Sequence, residues 1–214
     1  MPSDALILAF DTSAAHCAAA LLRGDKVLAQ TEEPMAKGQG ERLIPLLEEM
    51  LRAGGAQWPD LDALAVGVGP GNFTGVRISV SAARGLALGL GKPAIGVSVF
   101  DARAQGMPRP VCVVEEARRN QIYLQQFGAE TGAPVLQDLS GIALPMGVAL
   151  VGSAAETVGA LTGLPVLTPR YPLAEAIARV GLGRLGQDHP RPAPLYLRGP
   201  DAAPPSDAPP VLLA

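Results

Sequence analysis

A glycine-rich stretch in the first half of the chain has the residue types of an anion-binding turn. Residues 67–77 read GVGPGNFTGVR and lie between an apolar run and a segment with the apolar content of a buried helix. Glycine permits close backbone approach and a helix N-terminus is partly positive, so such a turn can present N–H groups to a phosphate. The candidate phosphate-binding residues are Gly69, Gly71, Thr74, Gly75 and Arg77.

The spacing of this loop differs from two common nucleotide motifs. No Lys-Ser or Lys-Thr pair follows Gly75, as a P-loop requires, and the glycines lack the dinucleotide-binding spacing. Four glycines and a proline also form ordinary tight loops, and such turns are common, so spacing alone favours a purely structural turn.

A second candidate lies near the start of the chain, where an apolar run over residues 5–10 ends at Asp11, Thr12 and Ser13. A carboxylate at the end of a first strand, followed by hydroxyls, can hold a metal-bound phosphate or a water molecule. The same three residue types also cap turns, which is at least as common.

Metal and redox chemistry have little support in the sequence. The two cysteines, Cys17 and Cys112, lie far apart in apolar runs, which favours small buried residues over a redox pair. His16 and His189 are the only histidines, and neither belongs to a cluster with metal-ligand spacing. We therefore predict no metal site in this chain.

Charge and hydropathy limit the partners of the chain. The formal net charge is −3, which argues against a protein that grips nucleic acid by itself, since such proteins normally show a basic face. If RNA is involved, a partner is expected to hold it. The sequence shows neither a signal peptide nor a membrane span, so we predict no membrane association and a cytoplasmic location.

Hydrophobic patterning predicts three consecutive strands followed by alternating helices and strands. Strands are predicted over 5–10, 17–22, 26–32, 61–68 and 93–99, and helices over 41–52, 76–90 and 100–105. This order is typical of the ribonuclease-H-like core that the sugar kinase and actin superfamily shares. In that fold the turn after the first strand is a phosphate loop, and Asp11 to Ser13 occupy this position.

The pattern restarts after Pro108-Arg109-Pro110, which predicts a second, smaller lobe. Its strands are predicted over 111–114, 121–127 and 148–152, and its helices over 155–161 and 173–185. The expected fold is an α/β, two-lobed actin-like ATPase fold with mixed sheets flanked by helices. The predicted domains are a ribonuclease-H-like lobe over 1–106, a smaller lobe over 107–200 and a flexible tail over 201–214.

Four motifs resemble the TsaB family, also called YeaZ. The most specific is GPGNFTGVR over residues 69–77, which follows the DTS of residues 11–13. The others are AKGQGERLIP over residues 36–45, the Ala117-Arg118-Arg119 turn before Ile122-Tyr123, and PLYLR over residues 194–198. Together they span nearly the whole chain in the family's order.

The resemblance implies a non-catalytic subunit of the bacterial machinery that places threonylcarbamoyl on adenosine 37 of tRNA. Its implied partners are a TsaD-like catalytic subunit and a TsaE-like ATPase, with tRNA contacted only through the complex. ATP and a metal are expected in the complex and not on this chain alone. Without TsaD, an isologous homodimer is expected through the same surface.

That surface is implied to lie on the helices predicted over 41–52 and 76–90. The implied contact residues are Glu41, Leu43, Ile44, Leu47, Met50, Val76, Val80, Ala83 and Ala87. Small residues on the second helix would let a partner helix approach. By the same resemblance, the loops at Asp11 and Gly69 are candidate vestigial phosphate loops, and no residue is predicted to be catalytic.

The residues also bear on the absence of catalysis. TsaD-type proteins carry two histidines four residues apart on the helix that corresponds to 41–52, and this chain has none there. The chain departs from the family pattern at Gln39 and Glu116, which leaves the roles of those two positions undefined.

Two other functions stay open at this point. The first is an active enzyme of the same fold. A small-molecule kinase or ATPase is favoured only by Asp11 and the two loops, and a metallopeptidase lacks metal ligands in the sequence. The second is a tRNA-binding module that acts alone. The net charge disfavours this module, unless Arg118 and Arg119 line a basic strip.

Overall fold

The computed structural model describes residues 4–198 as two sheets with flanking helices. The strands are β1 Leu6–Asp11, β2 His16–Arg23, β3 Lys26–Pro34, β4 Ala63–Gly67, β5 Ala94–Val97, β6 Val111–Glu116, β7 Gln121–Phe127, β8 Val135–Asp138 and β9 Ala149–Val151. The helices are α1 Gln39–Ala53, α2 Phe73–Leu90, α3 Val99–Ala104, α4 Ala155–Thr162 and α5 Leu173–Arg184. The tail predicted over 201–214 lies outside the described residues.

The first sheet has the strand order β3-β2-β1-β4-β5. β1 pairs antiparallel with β2 and parallel with β4, while β2 pairs antiparallel with β3 and β4 parallel with β5. All residues of β1 and β4 are buried, because helices cover both faces of the sheet. All five strands predicted in this half of the chain are present, in the predicted order along the sequence.

α1 and α2 cover one face of the first sheet. Leu46 and Leu47 of α1 and Val76 and Val80 of α2 pack on the side chains that β1 directs to this face, including Phe10. The buried positions 43, 47 and 51 of α1 and 76, 80 and 83 of α2 recur at intervals of three and four, which places them on one side of each helix. This arrangement brings the N-termini of α1 and α2 close to the end of β1.

α3 and α5 cover the other face, and the position of α5 differs from the sequence prediction. We expected the helix over 173–185 to belong to the second lobe, but Leu173 and Ile177 pack against Ile7 and Ile95 of the first sheet. A Cβ atom at Gly181 would lie 2.7 Å from the Cβ of Ala65, so small residues let the helix lie close. The pattern identified the helix but not its partner surface.

The second sheet has the order β8-β7-β6-β9. α4 packs on one face of it, and α3, which follows the first sheet, contributes Phe100 and Ala104 to the other. α3 therefore contacts both sheets. The sequence analysis missed β8, whose four residues lack a clear apolar alternation. No helix within residues 4–198 is long and apolar enough to span a lipid bilayer.

Candidate functional site

The turn after β1 is held by the carboxylate of Asp11. Its Oδ1 accepts hydrogen bonds from the backbone N (2.9 Å) and Oγ (2.8 Å) of Ser13 and lies 2.7 Å from Nε2 of His16. Its Oδ2 is buried, and no described residue donates a hydrogen bond to it. A Cβ atom at Gly67 would lie 1.8 Å from this oxygen, so the glycine at the end of β4 makes room for the carboxylate.

The Gly69–Gly75 loop packs directly on this turn. The backbone N of Asn72 donates to Ser13 O at 2.6 Å, and Thr12 Oγ1 donates to Gly75 O at 2.6 Å. A Cβ atom added at Gly71 would lie 2.3 Å from Ser13 O, and one added at Gly75 would lie 1.9 Å from Thr12 O. The two predicted phosphate loops therefore lie together, and these two glycines are required by the contact between the loops.

The first N–H groups of α2 have partners within the loop itself. The side-chain oxygen of Asn72 accepts from the backbone N of Thr74 (3.0 Å) and Gly75 (3.1 Å), which is the usual arrangement of an N-cap residue. Gly69 has a positive φ of 88°, a conformation that favours glycine. Arg77, the last predicted residue of the loop, points instead at two exposed aromatic rings.

His16 is a residue of this site that the sequence analysis considered only as a metal ligand. Burial and the charge of Arg103 lower the pKa of His16. The hydrogen bond and charge of Asp11, together with the charge of Glu32 3.7 Å away, raise it by more, so the pKa of His16 is raised overall. The β1–β2 hairpin brings His16 to Asp11 because the two residues flank the turn. Their spacing of five residues was the available signal.

A second polar network connects the two sheets close to this site. Arg103 of α3 lies 3.2 Å from Glu115 at the end of β6, and Ser153 Oγ donates to the other oxygen of Glu115 at 2.6 Å. Arg103 and Glu115 are largely buried, so their charges compensate one another away from water. The sequence analysis did not identify this network.

The residues predicted at a partner contact divide into two groups. Five of the nine lie in the protein's own core and cannot touch a partner: Leu43, Leu47, Val76, Val80 and Ala83. Glu41 and Ile44 are exposed on α1, while Met50 and Ala87 are partly buried. The apolar side of each helix packs in the core, so only the exposed sides of α1 and α2 can contact a partner.

The exposed side of these two helices has its own apolar and small residues. Ile44 is 38% and Leu88 is 81% exposed, and a Cβ atom at Gly85 or Gly89 would meet no atom within 4 Å. We call these four residues the α1–α2 face. Five of the nine predicted contact residues therefore lie on the buried sides of α1 and α2, and the exposed sides carry other residues.

An open groove of about 690 Å³ lies between the N-termini of α1 and α2. Lys37, Gly38 and Gln39 line it from one side and Asn72 and Thr74 from the other. Gln39, one of the departures from the family pattern, donates from Nε2 to Met35 O at 3.1 Å. Within residues 4–198 no group of three or more His, Cys, Asp or Glu residues is placed to hold a metal ion.

The sequence is similar to a known family and to several known proteins. The family model described as TsaD, tRNA N6-adenosine threonylcarbamoyltransferase, matches residues 30–162. An uncharacterised protein of Mycobacterium tuberculosis (strain H37Rv) is 34% identical over 204 residues, which cover 92% of this chain and 94% of that protein. The tRNA threonylcarbamoyladenosine biosynthesis protein TsaB of Escherichia coli is 38% identical over 126 residues, which cover 56% of this chain and 54% of that protein.

Solved structures confirm the predicted fold. YeaZ from Pseudomonas aeruginosa has a TM-score of 0.75 at 24% identity and covers 90% of this chain and 100% of its own. Component A of (R)-2-hydroxyglutaryl-CoA dehydratase from Acidaminococcus fermentans has a TM-score of 0.56 at 10% identity, with 84% and 98% covered. The fold is the two-lobed actin-like ATPase fold, with mixed sheets flanked by helices. The motifs, the matched family model and these relatives agree, and the chain belongs to the TsaB (YeaZ) family.

Proposed function

We propose that this chain is a non-catalytic subunit in the biosynthesis of threonylcarbamoyladenosine in tRNA, and that it pairs with a TsaD-like catalytic subunit. Its membership of the TsaB family supports the pathway. The observation that carries the pairing is the α1–α2 face, because exposed apolar residues beside glycines offer a surface that a partner helix can approach closely.

The surroundings of Asp11 support an accessory role. One carboxylate oxygen is taken by the turn and by His16, and the other is enclosed beside Gly67. The described residues include no metal-ligand cluster, so we propose that ATP and metal are held elsewhere in the complex. A TsaE-like ATPase is the proposed third subunit, and the proposed location is the cytoplasm.

The pairing is tested by size-exclusion chromatography with light scattering, on this chain alone and mixed with the TsaD-like protein of the same organism. We expect a homodimer alone and a heteromer in the mixture, formed through the same face. Gly85→Gln adds bulk to the face without charge, and Ile44→Glu adds a charge to it. Both variants should stay folded and lose the heteromer.

Leu161→Glu is the matched control, because Leu161 is also an exposed apolar residue but lies on α4. It should form the heteromer as the unaltered chain does. Normal association of both face variants would move the interface elsewhere, and failure of the unaltered chain to associate would contradict the pairing. ATP hydrolysis by the pure chain, abolished by Asp11→Ala, would instead favour the alternative of an active enzyme.

A further inference from the structure

Two aromatic rings and an arginine form an exposed cluster at the start of α2. The rings of Phe73 and Tyr196 stack with centroids 5.3 Å apart, and the two residues are 51% and 47% exposed. Cζ of Arg77 lies 3.7 Å from the Phe73 centroid, and its Nε donates a hydrogen bond of 2.8 Å to the Tyr196 hydroxyl. This arrangement fixes the rings but leaves about half of their surface accessible.

Further arginines continue the cluster along the same edge of α2. Arg84 follows Arg77 by two helical turns, and its Nε donates at 2.7 Å to the carbonyl of Pro192, beside the exposed Arg191. Neither α2 nor residues 189–198 contain an Asp or a Glu. In a chain of net charge −3, this edge therefore concentrates positive charge.

The next arginine lies beyond Tyr196 along the same segment. Nη2 of Arg198 donates to the carbonyl of Arg118 at 2.8 Å, so the exposed turn between β6 and β7 adjoins this segment. The turn residues 117–120, ARRN, contain no carboxylate, although the exposed Glu116 directly precedes them. Arg118 thus lies at one end of a path that passes the aromatic pair and reaches Arg84 and Arg191.

We propose that this strip, defined as Phe73, Arg77, Arg84, Arg191 and Tyr196, binds a single-stranded nucleic acid. Unpaired bases stack on exposed aromatic and guanidinium planes, while neighbouring arginines pair with phosphates. The stacked pair of rings and the arginines beside it place stacking surfaces next to positive charges, as a base and its phosphate require. An acidic peptide would use the arginines but leave the stacked rings without a role.

The strip is distinct from the α1–α2 face, so the inference does not rest on the proposed pairing. Phe73, Arg77 and Arg84 recur at intervals of four and seven and share one side of α2. Gly85 and Gly89 lie on the same side of α2 as Ile78. That side faces α1, because a Cβ atom added at Gly40 of α1 would lie 3.8 Å from Cδ1 of Ile78. Leu88 lies at the border between the two sides.

The test is fluorescence anisotropy of a labelled oligoadenylate RNA of about 12 nucleotides, titrated with the full chain at about 50 mM salt. We expect saturable binding that weakens as salt rises. Arg191→Glu should weaken binding and lower the salt dependence by about one counterion, since no described contact of Arg191 is lost. Arg23→Glu makes the same charge change on a distant hairpin and should bind as the unaltered chain does.

The rings are tested separately from the charges. Phe73→Ala should weaken binding about tenfold, whereas Tyr196→Phe, which keeps the stacked ring, should retain it. Circular dichroism melts establish that each variant is folded. Retained binding by Gly85→Gln, with pairing lost, would support two separate surfaces.

Three results would overturn the proposal. The first is that the unaltered chain shows no saturable RNA binding, and the second is that Arg191→Glu and Arg23→Glu change RNA affinity equally. The third is that strip variants bind RNA normally but no longer form the heteromer. The last result would assign the strip to a protein partner.

Discussion

Asp11 and His16 form a buried polar contact next to the predicted phosphate loops. Asp11 is fully buried and His16 is 8% exposed, with 2.7 Å between Oδ1 and Nε2. A buried carboxylate of this kind is stabilised by a protonated imidazole and destabilised when that partner is removed. The pair joins the end of β1 to the start of β2, so its contribution should be measurable as stability.

The stability contributed by His16 should depend on pH in a defined direction. Because the pKa of His16 is raised in the folded protein, its contribution is complete below the ordinary pKa of about 6.5 and is lost as pH rises through the folded pKa. We expect His16→Asn to lower the free energy of unfolding by about 2 kcal/mol under acidic conditions, near pH 5.5, and by less near pH 9.

Urea denaturation of both proteins at the two pH values measures this difference. Asn keeps a side-chain hydrogen-bond donor but cannot become charged, so it isolates the titration of the imidazole. An equal loss of stability at both pH values would contradict a charged pair.

The two cysteines should be unreactive in the folded protein. Burial raises the pKa of Cys17 to about 11 and that of Cys112 to about 12, and both residues are inaccessible to solvent. The thiolate is the reactive form, so we expect no alkylation by iodoacetamide at about pH 8. Mass spectrometry should find both thiols modified after unfolding in guanidinium, and rapid labelling of either in the native chain would contradict their burial.

Residue-level prediction from the sequence succeeded where neighbours in the chain decide the outcome. Asp11 could be located at the end of β1 because an apolar run stops there. The role of Gly75 as a close contact for Thr12 O could not be found, because the two residues are 63 positions apart. The spacing of the loop alone is compatible with both a phosphate site and a packing contact.

α2 shows how one helix can meet different requirements on its different sides. Val76, Val80 and Ala83 face the core, Gly75 faces the β1 turn, and Gly85 faces open space. A helical pattern with many small residues does not reveal which small residue is enclosed. Ala83 was therefore predicted at a partner contact, although it is fully buried under the helix.

Two matched glycine substitutions in α2 should have opposite effects on stability. Gly75→Ala would bring a Cβ atom to 1.9 Å from a backbone oxygen, so we expect a loss of about 2–3 kcal/mol or more. Gly85→Ala meets no atom within 4 Å and should add about 0.5–1 kcal/mol, since alanine is the better helix former. Chemical denaturation of the two variants measures both values, and a tolerated Gly75→Ala would contradict the close contact.

Two helices pack on sheets that are formed by distant parts of the sequence. α3 packs on both sheets, and α5 returns to the first sheet after the second sheet is complete. The predicted order of strands and helices along the first half of the chain was confirmed, because local patterning determines it. The destination of α5 was not predictable, since an apolar helix carries no information about which sheet it covers.

The dependence of the first sheet on α5 can be measured with one pair of variants. Ile177→Asp places a charge in the fully buried contact with β1 and β5, and we expect it to unfold the chain or to cost about 3–5 kcal/mol. Leu161→Asp makes a similar change on the exposed side of α4 and should stay within about 0.5 kcal/mol of the unaltered chain. Thermal melts followed by circular dichroism distinguish the two, and a stable Ile177→Asp would contradict this packing.

The return of α5 also sets an order for events at the ribosome. The strands of the first sheet leave the exit tunnel early, whereas the helix that covers Ile7, Ala9 and Ile95 is translated after all nine strands. Until then, this face of a nascent sheet lacks the helix that covers most of its apolar side chains. Any chaperone that shields this face would be needed only until residues 173–184 emerge and α5 packs on the sheet.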